Sequence, residues 1–122
     1  MINLKPKIVQ ALESNQVLVS LLGGKRIYPL KAPRPNEFPR ITFFELNNAD
    51  DQYADDAAIS SEIRVQIDVW AKTPSSEVSQ EVARTMKELG FQRYSAQDLY
   101  EEDTEIFHKG MRYKTTVVHE EE

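Results

Sequence analysis

The sequence predicts an α+β fold: an antiparallel or mixed β-sheet of about four strands, with an N-terminal helix and one long helix packed on one face. Three observations carry this reading. Between residues 62 and 72, Ile63, Val65, Ile67, Val69 and Ala71 alternate with Arg64, Gln66, Asp68 and Trp70, the period of a strand that buries one face. Further on, Val78, Val82, Met86 and Leu89 recur at helical spacing before Gly90, the stripe and stop of an amphipathic helix. The patterns along the chain run helix, strand, strand, helix, strand, strand, and short turns between paired strands favour an antiparallel sheet with its helices on one side.

The elements follow in order. Leu4, Ile8 and Leu12 share one helical face. Ser14 or Asn15 interrupts that helix and caps a second short turn carrying Val17, Leu18, Leu21 and Leu22, which Gly23-Gly24 ends. Arg26-Ile27-Tyr28 reads as a short extended piece. Pro29, Pro33, Pro35 and Pro39 then exclude helix and central strand, leaving an ordered loop or arm. Arg40 to Leu46 reads as a strand through Ile41, Phe43 and Phe44. Asn47 to Ser61 is polar and acidic, with Asp50, Asp51, Asp55 and Asp56, and reads as a long loop that is functional or flexible. The strand 62–72 follows. Thr73-Pro74-Ser75-Ser76-Glu77 supplies hydroxyl caps, an early proline and an acid for the start of the long helix. Phe91 to Tyr100 is a strand, Glu101-Glu102-Asp103 a turn, and Thr104 to His119 a final strand with a bulge expected at Lys109-Gly110. One sheet face is left open, with Phe43 or Phe44 and Trp70 as candidates to sit on it.

Length and composition bound the function. The 122 residues fit one domain spanning 1–122, able to bury roughly two thirds of its unfolded surface. Hydrophobic residues make up 40% and charged residues 29%, a globular balance. A net charge of -5 argues against bulk binding to nucleic acid or to an anionic membrane. The absence of cysteine excludes disulfides, thiolate metal sites and cysteine nucleophiles. The start of the chain lacks a signal-peptide pattern, and no run approaches the ~20 apolar residues of a membrane span.

A search for chemistry leaves little. His108 and His119 lack metal-ligand spacing and read as solvated strand histidines. The Asp50-Asp51 and Asp55-Asp56 pairs lack the glycine and terminal glutamate of a calcium loop and read as a solvated segment. Gly23-Gly24-Lys25 follows a helix and lacks the phosphate-loop pattern, so it reads as a helix C-cap. No catalytic residue, metal ligand or cofactor is expected, and no binding residue is assigned. Charge is uneven. Lys25, Arg26, Lys31, Arg34 and Arg40 make the proline-rich segment basic; the loop after it, Glu101 to Glu105 and the Glu120-Glu121-Glu122 tail are acidic. Such patches either meet across a head-to-tail interface or are scattered for solubility.

Four local features together resemble a known family. A helical start ends in a glycine pair before Arg26-Ile27-Tyr28-Pro29. Phe38-Pro39-Arg40-Ile41 leads into a strand. The stretch Arg64-Val65-Gln66-Ile67-Asp68-Val69-Trp70-Ala71 precedes the long helix, and an antiparallel pair closes the chain. This layout is similar to the tail completion, or tail-to-head joining, proteins of tailed bacteriophages and prophages. The resemblance implies a fold like that of tail terminators and a structural role, not an enzymatic one, at the top of the tail. It further implies a ring, hexameric in similar proteins, that caps the tail tube and meets the head connector, as terminator or as connector stopper. The implied partners are copies of itself, the tail tube protein and the head–tail connector protein, with no membrane and with nucleic acid only as genome passing through the ring. The implied locations are the host cytoplasm during assembly and then the virion. Two other readings stay open from the residues alone. One is a small cytoplasmic enzyme or ligand-binding domain, which needs Arg64, Asp68, His108 and Tyr113 to gather on the open sheet face. The other is a nucleic-acid accessory protein using the basic segment 25–40.

Overall fold

Two helices meeting at a sharp joint open the chain. The structure, a computed structural model, describes residues 2–34, 36–50, 52–54, 57–74 and 76–119. Helix α1 (Lys5–Ser14) buries Ile8 and Leu12, and α2 (Gln16–Leu22) buries Leu18 and Leu22. Of the two candidates for the interruption, Asn15 makes it. Its backbone is extended (φ -80°, ψ 97°), and its side-chain oxygen accepts the Leu18 amide at 3.0 Å, satisfying a donor the new helix would leave orphaned. Gly23 ends α2 at φ 79°, a conformation that favours glycine.

The remaining elements are β1 (Ile27–Pro29), β2 (Arg40–Asp50), β3 (Tyr53–Ala54), β4 (Ala57–Ala58), β5 (Ser60–Ala71), α3 (Ser76–Glu88), β6 (Gln92–Glu101) and β7 (Ile106–Val118). Five strands, in the order β1-β2-β5-β7-β6, form one sheet, and β3 and β4 pair as a separate small hairpin. The sheet is therefore five-stranded and mixed, one strand more than expected, and it is accompanied by three helices. The parallel element is β1, with Ile27 opposite Ile41 and Pro29 opposite Phe43. Between Pro29 and Arg40 the chain returns to the starting end of β1, as a parallel neighbour requires.

Two expectations are corrected. Residues 47–50 and 60–61 are not loop but the far half of β2 and the start of β5, with β2 and β5 paired residue by residue from Asn47–Arg64 to Asp50–Ser61. Asn and Asp are poor strand formers, so the local signal hid a ladder held by its partner. Asp51, Asp55 and Asp56 lie outside the described residues, as do Pro35, Ser75 and the Glu120–Glu122 tail. The bulge expected at Lys109-Gly110 is also absent: β5 and β7 pair without interruption from Ser60–Val118 to Ala71–Phe107. The register shifts fall at Leu46 on β2 and Tyr94 on β6. Gly110 has a different reason to be glycine. A Cβ there would meet Asp68 Oδ1 at 3.2 Å and Gln66 Nε2 at 3.4 Å, so the bare backbone makes room for those side chains.

The core lies between the helices and one sheet face. Ile63, Val65, Ile67, Val69 and Ala71 of β5 point into it with Ile41, Phe43, Met111 and Tyr113, against Ile8, Leu12, Leu18, Leu22, Val78, Val82 and Met86 of the helices. Phe43 is thus a core residue, and Phe44 is the half-buried one on the other face. Asn15 ties the helical layer together, because its amide donates to Thr85 Oγ1 at 3.0 Å and Glu81 Oε1 at 3.3 Å of α3.

Asn15 thereby generates a test. Asn15→Ala should destabilise the fold by about 1–2 kcal/mol in urea unfolding. Asn15→Asp, an equally good cap in isolation, should fail to restore stability, because it sets a carboxylate against Glu81 where the amide donated.

Candidate assembly surface

The sheet face away from the helices carries the side chains that the core rejects. On β5 the outward set is Glu62, Arg64, Gln66, Asp68 and Trp70; on β7 the same rows hold Thr116, Lys114, Arg112, Gly110 and His108. These groups form a connected strip. The Trp70 indole donates to Thr42 Oγ1 at 2.9 Å and stacks on His108, with ring centroids 3.8 Å apart and planes 12° apart. His108 Nε2 lies 2.7 Å from Asp68 Oδ1, and the Gln66 amide donates to the same oxygen at 2.8 Å. Arg112 donates to Gln66 Oε1 at 3.1 Å. Toward β6, the guanidinium of Arg64 sits 5.1 Å and the ammonium of Lys114 5.7 Å from the centre of the Tyr94 ring, close enough for cation–π attraction. Arg64 also pairs with Glu62 at 2.6 Å.

A second feature is the proline arm between β1 and β2. Glu37 organises it. Its carboxylate accepts the Tyr28 hydroxyl and lies 3.8 Å from both Arg26 and Arg34. Arg26 donates to the Phe38 carbonyl at 2.7 Å, and Arg40 to the Glu37 carbonyl at 3.2 Å. The Phe38-Pro39 peptide bond is cis. The Arg40 guanidinium carbon lies 4.5 Å from the centre of the Phe38 ring and 5.6 Å from that of Trp70, which joins the arm to the open face. Three of the basic residues that made this segment look like a cationic patch, Arg26, Arg34 and Arg40, are thus engaged within the arm. The hydrogen bond to Glu37, then burial and the Glu37 charge, hold the Tyr28 phenol above its ordinary range. Burial raises the Tyr113 phenol too, with Arg93 opposing it.

The family described as tail completion protein gp17 matches residues 6–118. The chain belongs to that family. Its members are structural virion components and not enzymes, so this tail completion protein is a phage tail structural protein. Two solved structures share its fold. One is a chain in the virion of a native gene transfer agent particle, with a TM-score of 0.68, 16% identity, and coverage of 92% of both chains. The other is the gp17 protein of bacteriophage SPP1, with a TM-score of 0.58, 16% identity, and coverage of 98% of this chain and 91% of that one. A search of curated proteins found no match.

For the tail completion protein, the four residues of the pocket reading do not gather. Asp68 and His108 meet, but Arg64 turns to Glu62 and Tyr94, and Tyr113 lies in the core on the opposite face, 1% exposed. The groove that includes His108, about 310 Å³, is lined by neither Arg64, Asp68 nor Tyr113. Neither histidine is simply solvated: His108 is clamped between Trp70 and Asp68, and His119 Nε2 lies 2.8 Å from Ser61 Oγ. Alternation on β5 signalled this face, whereas the His108–Trp70 stack depends on the β5–β7 register, for which one strand offers no signal. Among the described residues, no group of three or more His, Asp or Glu is placed to hold a metal ion, and no helix is long and apolar enough to cross a membrane.

The strip and the arm yield two tests. Asp68→Ala should cost about 1–3 kcal/mol by leaving Gln66 and His108 without their acceptor. It should also change the emission of Trp70, the only tryptophan, as the stacked imidazole loosens. A phenol with a raised folded pKa contributes stability that is complete below its unfolded value, here 10.0, and lost as pH rises through the folded one. Wild-type stability should therefore fall above pH 10. In Tyr28→Phe, about 1 kcal/mol less stable at neutral pH, that fall should be smaller, leaving the share due to Tyr113.

Proposed function

We propose that this protein, acting as a single domain over residues 1–122, caps the phage tail tube and joins the tail to the head connector as a ring, six-fold as in similar proteins. The family match over residues 6–118 carries the reading. Two structural features support it. One is a helix-free sheet face whose polar groups satisfy one another instead of converging on a pocket. The other is β6, an edge strand whose ten residues are all exposed. A long bare edge is a liability for a monomer and a resource for an assembly. The partners are further copies of the chain, the tail tube protein and the head–tail connector protein, met in the host cytoplasm before incorporation into the virion.

Light scattering over a concentration series, with and without tail tubes from the same source, tests this. A hexamer-sized species, or a monomer that becomes tail-bound when tubes are added, is the expected result. A monomer at every concentration that ignores tubes would overturn the proposal.

A further inference from the structure

The two lateral edges of the sheet carry opposite charge patterns at matching rows. One edge is β6. The other is stepped, with β1 outermost over the rows Ile41–Phe43 and β2 itself outermost beyond them, from Phe44 to Asp50. Among the described residues, no backbone–backbone hydrogen bond reaches that outer stretch of β2 from outside the sheet ladder, and the Ile2 carbonyl meets it only through the Asn48 side chain, at 2.6 Å. The paired rows run through the sheet and connect the edges. The row of Glu45 passes through Val65 and Tyr113 to Arg93, and the row of Arg40 passes through Trp70 and His108 to Leu99.

At the hairpin end of the sheet, β2 is acidic through Glu45 and Asp50, whereas β6 is basic through Arg93. At the arm end the signs reverse. The approach to β1 carries Lys25, whereas β6 carries Asp98 and Glu101 and runs into the acidic turn 102–105. Asp98 is 80% exposed on its side chain even while paired with Lys109. Exposed apolar groups flank these charges: Leu46 and Tyr94, the extra residues at the two bulges, are each 37% exposed, and Leu99 and Tyr100 follow on β6.

From this juxtaposition we propose that β6 of one copy docks head to tail against β1 and the outer half of β2 of the next, forming the contact that repeats around the ring. The inference rests on the ring reading above and adds its interface. A neighbour that extends the sheet sideways meets this edge row by row. Each copy then sets Arg93 toward the next copy's Glu45 and sets Glu101 and its turn toward the next copy's Lys25. The directions agree: β6 runs antiparallel to β7, β7 to β5, and β5 to β2, so β6 is antiparallel to both β2 and its parallel neighbour β1. Because β1 stands one strand further out, about 4.8 Å, the lower half of β6 abuts β1 while the long Arg93 side chain spans the step to Glu45. Such a contact is heterologous, the type that generates closed rings or open filaments. A second copy fits better than an unrelated partner because the charge reversal along one edge is answered by the reversal along the other.

Zero-length carbodiimide cross-linking of the assembled wild-type protein, followed by peptide mass spectrometry, tests this without a variant. Lys25 joined to Glu101 of another copy is the expected product. Within one copy Glu101 on β6 and Lys25 before β1 lie at opposite edges, four strand spacings or about 19 Å apart, too far for a zero-length link. Arg93→Glu and Glu45→Arg should each raise the concentration needed for assembly about tenfold or more, and the double exchange should restore it. Rings that form without the Lys25 link and ignore both reversals would overturn this interface while leaving the ring reading intact. Links from Lys25 or β6 to tube protein instead would overturn it in favour of a docking edge for the tube. No self-association with or without tubes would remove both readings.

Discussion

Strand β5 is the reference to which the rest of the fold is built. Its strict alternation sends Ile63, Val65, Ile67, Val69 and Ala71 to one side at 2% exposure or less. Burying each of the larger aliphatic side chains is worth about 1.5–3 kcal/mol, while strand propensities differ by only about 1 kcal/mol. A slip of one residue would turn that whole set into water, so β2 and β7 must pair with β5 in the register that places Ile41, Phe43, Met111 and Tyr113 on the same side. The size of this term explains why residues 47–50 form strand despite an unpromising composition: they continue a ladder already fixed by the rows before them.

The same alternation creates the other face. Once the aliphatic set points inward, Arg64, Gln66, Asp68 and Trp70 must point outward, and β7 places Arg112, His108 and Lys114 beside them. Asp68 is only 4% exposed, and an unpaired carboxylate in that position would be expensive. Two donors to one oxygen, from Gln66 and His108, meet that need, and Gly110 leaves room for them. Polar groups that satisfy each other in this way fix one another's positions on the sheet face.

The helices and the arm use polar side chains as fasteners in places where apolar packing is thin. Asn15 joins the end of α1, the start of α2 and the middle of α3 through a cap and two side-chain bonds. Glu37 draws Tyr28, Arg26 and Arg34 together, which fastens the described part of the arm to β1 and its approach. The edges contrast with both. Exposed along its whole length, β6 gains nothing from the core on its outer side, and contacts built from such an edge are individually weak. The proposed ring would suit weak contacts, because closure makes each copy hold two neighbours at once.

Much of this protein was legible in its sequence. The α+β class, the alternating body of β5, the buried stripe of α3, the helix joint and its glycine stop all follow from periodicity and backbone preference, which are local. The resemblance to tail completion proteins rested on the order of those same elements. Tertiary structure alone decided that β1 joins in parallel as a fifth strand, that the acidic segment after Leu46 continues as strand, and that His108 stacks on Trp70 while Tyr113 turns to the core. It also set Arg93 and Glu45 on one row at opposite edges. Each of these is a fact of register between distant strands. Register is chosen by the summed burial of whole faces, a quantity that no short stretch of sequence contains.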